Sequence, residues 1–421
     1  MIDTSANTTS LEQLKNAYED ARGKHLKLNM SRGKPAPSQL DLSNALLGAM
    51  DSYMTEDGTD ARNYGILDGI PECRQLFADL LDLNPDRMII GGNSSLSLMF
   101  DVMAALCLFG TGGNRPWQHY RYAGTPVKFL CPSPGYDRHF RICEELGIEM
   151  IPIPLNEEGP DMDLVTTLVR QDPLIKGIWC VPLHSNPGGV CYSSRVVEEL
   201  ASMETAARDF RIFWDNAYGI HHIYEEVALK NILDACERHG HPERAYYFFS
   251  TSKITFPGAG VALIASGPGN IKELKGHMSA QIISYDKLNQ LRHVRHFKTP
   301  ENIRAHMAML ADELRPKFDL VLSKLETGLK GTGFASWSRP KGGYFISLDT
   351  RPGCARRTVA LAKDAGVVLT DAGATYPYGR DEKDSNIRIA PSYPTLEELD
   401  AAMDIFILCI KIAALETNNS K

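Results

Sequence analysis

Lys253 is the residue in this chain best suited to covalent chemistry. It lies in Ser250-Thr-Ser-Lys-Ile-Thr-Phe-Pro-Gly-Ala-Gly260, after an aromatic, strand-like run from Tyr246 and before a second apolar run at Val261. An ammonium held between two buried strands is costly unless it is paired or neutralised. A covalent imine to an aldehyde cofactor resolves that cost, with the lysine as nucleophile. A surface lysine in a turn is the plainer alternative, so the reading depends on what else the chain brings near it.

Other polar residues follow apolar runs in the same way. Asn93, Ser94 and Ser95 come after Arg87-Met-Ile-Ile90, and Tyr136 after Val127-Lys-Phe-Leu-Cys131. Asn186 comes after Gly177 to Leu183, and Asp215 and Tyr218 after Arg211-Ile-Phe-Trp214. Strands and helices alternate, and the strands are apolar throughout, which is the pattern of a mostly parallel sheet covered on both faces. Such sheets bind ligands beyond the carboxyl ends of their strands, so these side chains are expected to gather along one edge.

Pyridoxal phosphate is the aldehyde cofactor whose needs match this set. Lys253 would form the imine. Asp215 would keep the pyridine nitrogen protonated, and Tyr218 and Asn186 would donate to the ring oxygen. Ser94, Ser95 and Ser250 would bind phosphate, with the helix dipole adding attraction. Tyr136 would stack on the ring. Once freed, Lys253 is the base that moves the substrate proton. The serines serve equally well as plain helix caps.

The elements that must hold these residues are legible in outline. Ser10-Leu-Glu-Gln13 reads as a capping box opening a helix towards Lys27. Pro71 lies near the start of another helix, Gly91-Gly-Asn-Ser-Ser95 opens a third that runs through Phe109, and Asp161 or Asp163 caps a further one. Beyond about residue 300 helical stretches (Ile303 to Leu325) lead to Phe334-Ala-Ser-Trp337 and to strands at Gly342 to Leu348, Gly366 to Leu369 and Asn386 to Ala390, then a terminal amphipathic helix. The expected division is residues 1–55 as an N-terminal segment joining a small domain, 56–300 as a large α/β domain, and 301–421 as a small α+β domain. Arg388 falls inside one of the late strands, so its charge must meet an anion, from the protein or from a substrate.

Ser185-Asn-Pro-Gly-Gly189, Asp215-Asn-Ala-Tyr218 and Ser250-Thr-Ser-Lys253 resemble the motifs of class I, fold type I aminotransferases. Tyr64-Gly-Ile-Leu-Asp-Gly-Ile-Pro-Glu72 and Pro340-Lys-Gly-Gly-Tyr-Phe345 are similar to further landmarks of that family, and the match runs from about Asn29 to the C-terminal helix. Met30-Ser-Arg-Gly-Lys-Pro35, Ser133-Pro-Gly-Tyr-Asp137 and Ser252 to Gly260 look most like the bacterial aspartate aminotransferases of subgroup Ic, often loosely described as MocR-family aminotransferases. The resemblance implies a large domain built on a seven-stranded type of sheet with a smaller α+β domain. It also implies pyridoxal phosphate, a homodimer with active sites at the subunit interface, and ping-pong transfer from L-aspartate or L-glutamate to 2-oxoglutarate or oxaloacetate. Arg388 would grip the substrate α-carboxylate, and Tyr64 would reach the neighbouring subunit's phosphate.

The chain departs from the family at one charged position. Most class I members carry a phosphate-binding arginine a few residues after the lysine, where this chain reads Gly258-Ala-Gly260-Val261. Lys287 is a candidate substitute. For the distal carboxylate of an acidic substrate the first candidate is Arg32, in its Gly/Pro loop, with the partner subunit's Lys287 as the second.

Composition bounds the alternatives. The net charge is -7, so no basic excess exists to neutralise a nucleic-acid backbone. The nine cysteines are scattered without Cys-x-x-Cys, which points to reduced core residues in the cytoplasm. No run approaches membrane-spanning length, and neither a metal-ligand motif nor a dinucleotide fingerprint is present. A sensor fused to a winged helix is not expected, since the pattern begins near residue 29. An aromatic or α-aminoadipate aminotransferase, or a β-lyase, would use the same site residues.

Overall fold

The protein is described by a computed structural model, in which residues 10–419 are placed. Among them the larger sheet has eight strands, in the order Met88–Ile90, Ala262–Ser266, Ala245–Ser250, Arg211–Asp215, Ile175–Cys180, Lys128–Ser133, Glu149–Asn156 and Gly159–Pro160. Seven are of ordinary length, and Gly159–Pro160 is a two-residue extension. The five strands from Ala245–Ser250 to Glu149–Asn156 pair in parallel. Ala262–Ser266 runs antiparallel to both its neighbours. The reason is its connection: the stretch after Ser250 contains no long crossover helix, and without a crossover a chain returns antiparallel.

Every residue of Ile175–Cys180, Arg211–Asp215 and Ala245–Ser250 is buried, as sheets covered on both faces require. Alternate side chains enter different cores. Ile212, Trp214, Tyr247 and Phe249 pack with Phe77, Val165, Leu200 and Ile232 on one face. Phe213, Tyr246, Phe248 and Trp179 pack with Met99, Val102, Met103 and Phe140 on the other.

A third core gathers the two ends of the chain. The N-terminal helix Leu11–Arg22 opens with the Ser10/Gln13 capping box and buries Leu14 and Tyr18 against the terminal helix Leu396–Asn419. Leu28–Asn29 pairs in parallel with Val367–Val368. Ala335–Trp337, Ile346–Thr350 and Asn386–Ile389 form a separate antiparallel sheet. The helix Pro300–Leu329 belongs to both halves: Ile303, Met307 and Leu310 enter the large-sheet core, while Leu314, Phe318, Val321 and Leu325 enter the third.

Several strands are shorter than the sequence pattern suggests, and of the run from Gly366 to Leu369 only Val367–Val368 pairs. The run from Gly342 becomes regular only at Ile346, because Gly342 and Gly343 press against His184 and the His221 carbonyl. The run from Gly177 ends as a strand at Cys180, and Val181 to Leu183 continue without pairing.

Candidate active site

The parallel strands end at Ser133, Cys180, Asp215 and Ser250 on one edge of the sheet, and the candidate residues stand just beyond them. Lys253 lies in the turn that links the antiparallel pair Ala245–Ser250 and Ala262–Ser266. Its Nζ is 4.7 Å from the centre of the Tyr218 ring. Burial lowers the Lys253 ammonium below lysine's ordinary value, against the opposing pull of Asp215.

The Lys253 turn is clamped by aromatic side chains. His221 Nε2 and the Tyr344 hydroxyl both donate to the Lys253 carbonyl, at 3.3 and 3.4 Å. His306 Nε2 donates to the Ile254 carbonyl at 2.8 Å. His293 Nδ1 donates to the Asn289 carbonyl at 2.8 Å, so its Nε2 accepts from the Thr255 hydroxyl at 3.1 Å. Burial lowers His221 to about 3 and His293 to about 4, which keeps both rings neutral and able to play these parts.

Asp215 is 2% exposed. Its Oδ2 accepts from His139 Nε2 at 2.9 Å, while its buried Oδ1 has no partner among the described residues. His139 is itself fixed: it stacks on Trp179 at 4.2 Å, and Tyr136 meets its edge at 5.0 Å. Burial pushes the Tyr136 phenol up to about 12, and burial raises Tyr218 as well, helped by Tyr136 and Asp215, so both keep their protons.

An unpartnered buried carboxylate oxygen fits the N–H of a protonated pyridine ring. The serines expected at a phosphate stand at the same edge. Ser94 caps the helix Ser95–Phe109 without spending its hydroxyl on the cap. Ser250 donates to Ser252 at 3.1 Å, and Ser252 to the Asn93 carbonyl at 3.1 Å, which ties the lysine turn to that helix start. Near the point where the family resemblance implies an arginine, a Cβ on Gly260 would approach Thr251 Oγ1 to 2.9 Å. Lys287 does not take over as an open cation in this chain. Its Nζ spends its three protons on the Asn63 carbonyl at 2.6 Å, the Gly65 carbonyl at 2.9 Å and Ser284 Oγ at 3.1 Å. Tyr64, between those carbonyls, is 79% exposed.

Arg388 is 7% exposed and faces the same edge. Its Nη1 donates to Asn186 Oδ1 at 3.2 Å and to Asp137 Oδ1 at 3.1 Å. Its Nη2 donates to Thr370 Oγ1 at 3.1 Å, and Thr370 in turn donates to the Ser31 carbonyl at 2.7 Å. The guanidinium lies 4.8 Å over the Phe345 ring, and its buried Nε has no partner among the described residues. A Cβ on Gly33 would run into that ring. The loop carrying Arg32 is therefore packed beside Arg388, with the Arg32 side chain exposed.

Sequence reasoning missed His139, Asp137, Ser252 and Tyr344 as site residues. All four lie within or beside motifs already singled out. Apart from Ser250 beside Ser252, their partners are far away in sequence, and spacing along the chain carries no sign of them.

The sequence model of the aspartate amino-transferase family matches residues 2–421. An aspartate aminotransferase of Corynebacterium glutamicum is 45% identical over 409 residues, covering 96% of this chain and 94% of the relative. The crystal structure of an aspartate transaminase from C. glutamicum superposes with a TM-score of 0.94 at 45% identity, covering 97% of this chain and 96% of that one. An α-aminoadipate aminotransferase from Thermus thermophilus, solved with N-(5'-phosphopyridoxyl)-L-leucine, shares the fold at 18% identity. Its TM-score is 0.75, and the match covers 99% of this chain and 100% of that one.

Proposed function

The chain belongs to the aspartate amino-transferase family, and from that premise we propose that it is a pyridoxal-phosphate aminotransferase for acidic amino acids. It moves an amino group from L-aspartate or L-glutamate to 2-oxoglutarate or oxaloacetate, in two half-reactions at one site. The reading rests on one observation above the others: the free, buried Oδ1 of Asp215 at the strand edge that also carries Lys253.

Pyridoxal phosphate, when bound, supplies an aldehyde that captures amines and a protonated ring that draws electrons from the reacting carbon. Asp215 Oδ1 would hold the ring N–H, with His139 fixing the carboxylate. Tyr218, kept protonated, would donate to the ring oxygen together with Asn186. Tyr136 would cover the ring face. Ser94 and Ser95 would hold the phosphate, with Ser250 and Ser252 joining them once their hydroxyls turn away from Ser252 and the Asn93 carbonyl. Lys253 Nζ would bond the aldehyde and, once released, carry the proton to and from the substrate α-carbon; its lowered proton affinity makes the free amine more available as a base.

Arg388 would hold the substrate α-carboxylate. Its Nε proton and the second Nη2 proton are not taken up by the bonds described above. Arg32 would meet the distal carboxylate. Tyr64 would complete the phosphate site of a second copy of the chain, in keeping with its exposure and with the Lys287 brace behind it. The cysteines are all unpaired, as a reducing cytoplasm would leave them.

The test is an absorbance titration of the purified protein. The expected result is a near-ultraviolet or visible cofactor band that borohydride fixes to Lys253, that L-aspartate removes, and that 2-oxoglutarate restores. A band that ignores aspartate but answers other amino acids removes the substrate assignment and keeps the mechanism. A protein that takes up no pyridoxal phosphate removes both.

A further inference from the structure

We propose that Asp137 sets the anion affinity of the Arg388 site, as an internal carboxylate that competes with a substrate carboxylate for the guanidinium charge. The proposal rests on the reading of Arg388 as the substrate-carboxylate residue.

The contacts of Arg388 are unequal. Asn186 and Thr370 offer it neutral oxygens, whereas Asp137 offers a charge at 3.1 Å. The Arg388 side chain is 8% exposed and the Asp137 side chain 34%. A buried guanidinium needs an anion when no substrate is present, because an uncompensated buried charge is costly. Asp137 supplies it, and Asp137 is also the partner that can let go. It remains partly hydrated, it sits in the first turn of the helix Asp137–Leu146 where the dipole favours a carboxylate, and Arg138 Nε lies 4.0 Å from its other oxygen.

The arrangement weakens any anion that comes to Arg388. A simple monocarboxylate meets the unused Nε and Nη2 protons beside the Asp137 charge, so its net gain is small. An amino acid held at its amine and at a second carboxylate presents its α-carboxylate at high effective concentration and overcomes that repulsion. Asp137 thus keeps anions with one point of attachment weakly bound.

The test compares the cofactor-loaded wild type with Asp137→Asn, Asp137→Ser and Arg388→Gln. Asp137→Asn keeps an oxygen for Nη1 and removes the charge; Asp137→Ser serves if the first variant does not fold. Acetate and succinate binding are read by calorimetry, and KM and kcat with the amino-acid substrate by initial rates. The expected result is roughly three- to tenfold tighter binding of both anions by Asp137→Asn, as removal of a partly screened competing charge would give. KM should fall by more than kcat changes, whereas damage to structure would raise KM. Unchanged or weaker anion binding in the Asp137 variants, with Arg388→Gln still weakening it, overturns the proposal. Anion binding untouched by Arg388→Gln instead overturns the reading of Arg388, and the proposal with it.

Discussion

His139 Nε2 donates to Asp215 Oδ2 at 2.9 Å and leaves Asp215 Oδ1 buried and unpaired. The histidine orients the carboxylate and supports its charge, so one oxygen is anchored and the other is presented to the site. Asp215→Asn removes the charge, and kcat should fall by about a hundredfold or more, the scale on which a preorganised electrostatic contact contributes. His139→Leu should fall by less, since the charge remains. Steady-state rates of the two variants, set beside their cofactor content, check this order.

Gly33 packs on the ring of Phe345, whose face carries Arg388. Gly33→Ala should push that ring and shift the guanidinium, with overpacking costing about 1–3 kcal/mol. The expected signature is a raised KM for the amino acid with kcat less affected. An unchanged KM would show that the ring yields without moving Arg388.

Lys287 is a brace for the loop carrying Tyr64. It is 3% exposed and bonds the carbonyls on either side of that tyrosine. Lys287→Met should cost about 1–3 kcal/mol, as loss of bonds from a charged donor implies. It should also raise hydrogen exchange around residues 63–65 and weaken cofactor retention. If exchange there stays as in the wild type, the loop is held by something else.

The buried histidines make stability depend on acid. His221 falls from the ordinary 6.5 to about 3, and His293 to about 4, chiefly through burial. For His293, Arg292 and His296 add to the lowering and the bond to Asn289 opposes it. In the unfolded chain these rings take up protons below about pH 6.5, whereas in the folded protein they stay neutral. Their contribution is therefore complete above 6.5 and lost as pH falls towards the folded values, at about 1.4 kcal/mol per pH unit for each ring. His293→Gln should flatten the curve of urea stability against pH between 6 and 4 by about one proton. A parallel curve would show that this ring is protonated in the folded state.

Arg32 stands exposed on the loop beside Arg388. If it meets the distal carboxylate, Arg32→Ala should lower kcat/KM for aspartate by about tenfold or more, since a hydrogen bond to a charged group is worth about 1.5–3 kcal/mol. A loss within about threefold would rule it out.

The sequence by itself determined the order of the strands and helices and the polar residues that follow each strand. Apolar runs, caps and turn residues are local signals, and in a parallel sheet every strand delivers its next few residues to the same edge. Lys253, Asp215, Tyr218, Asn186 and Tyr136 could be read that way. The tertiary structure alone decided how these residues are held. His139 and Asp215 are 76 positions apart, and Asp137 and Arg388 are 251 apart. Lys287 looked like a free cation in its sequence, and only the fold turned it inward onto Asn63 and Gly65. Such pairings depend on which helix packs against which strand end, and that is settled by burial across the whole chain rather than by the spacing of neighbours.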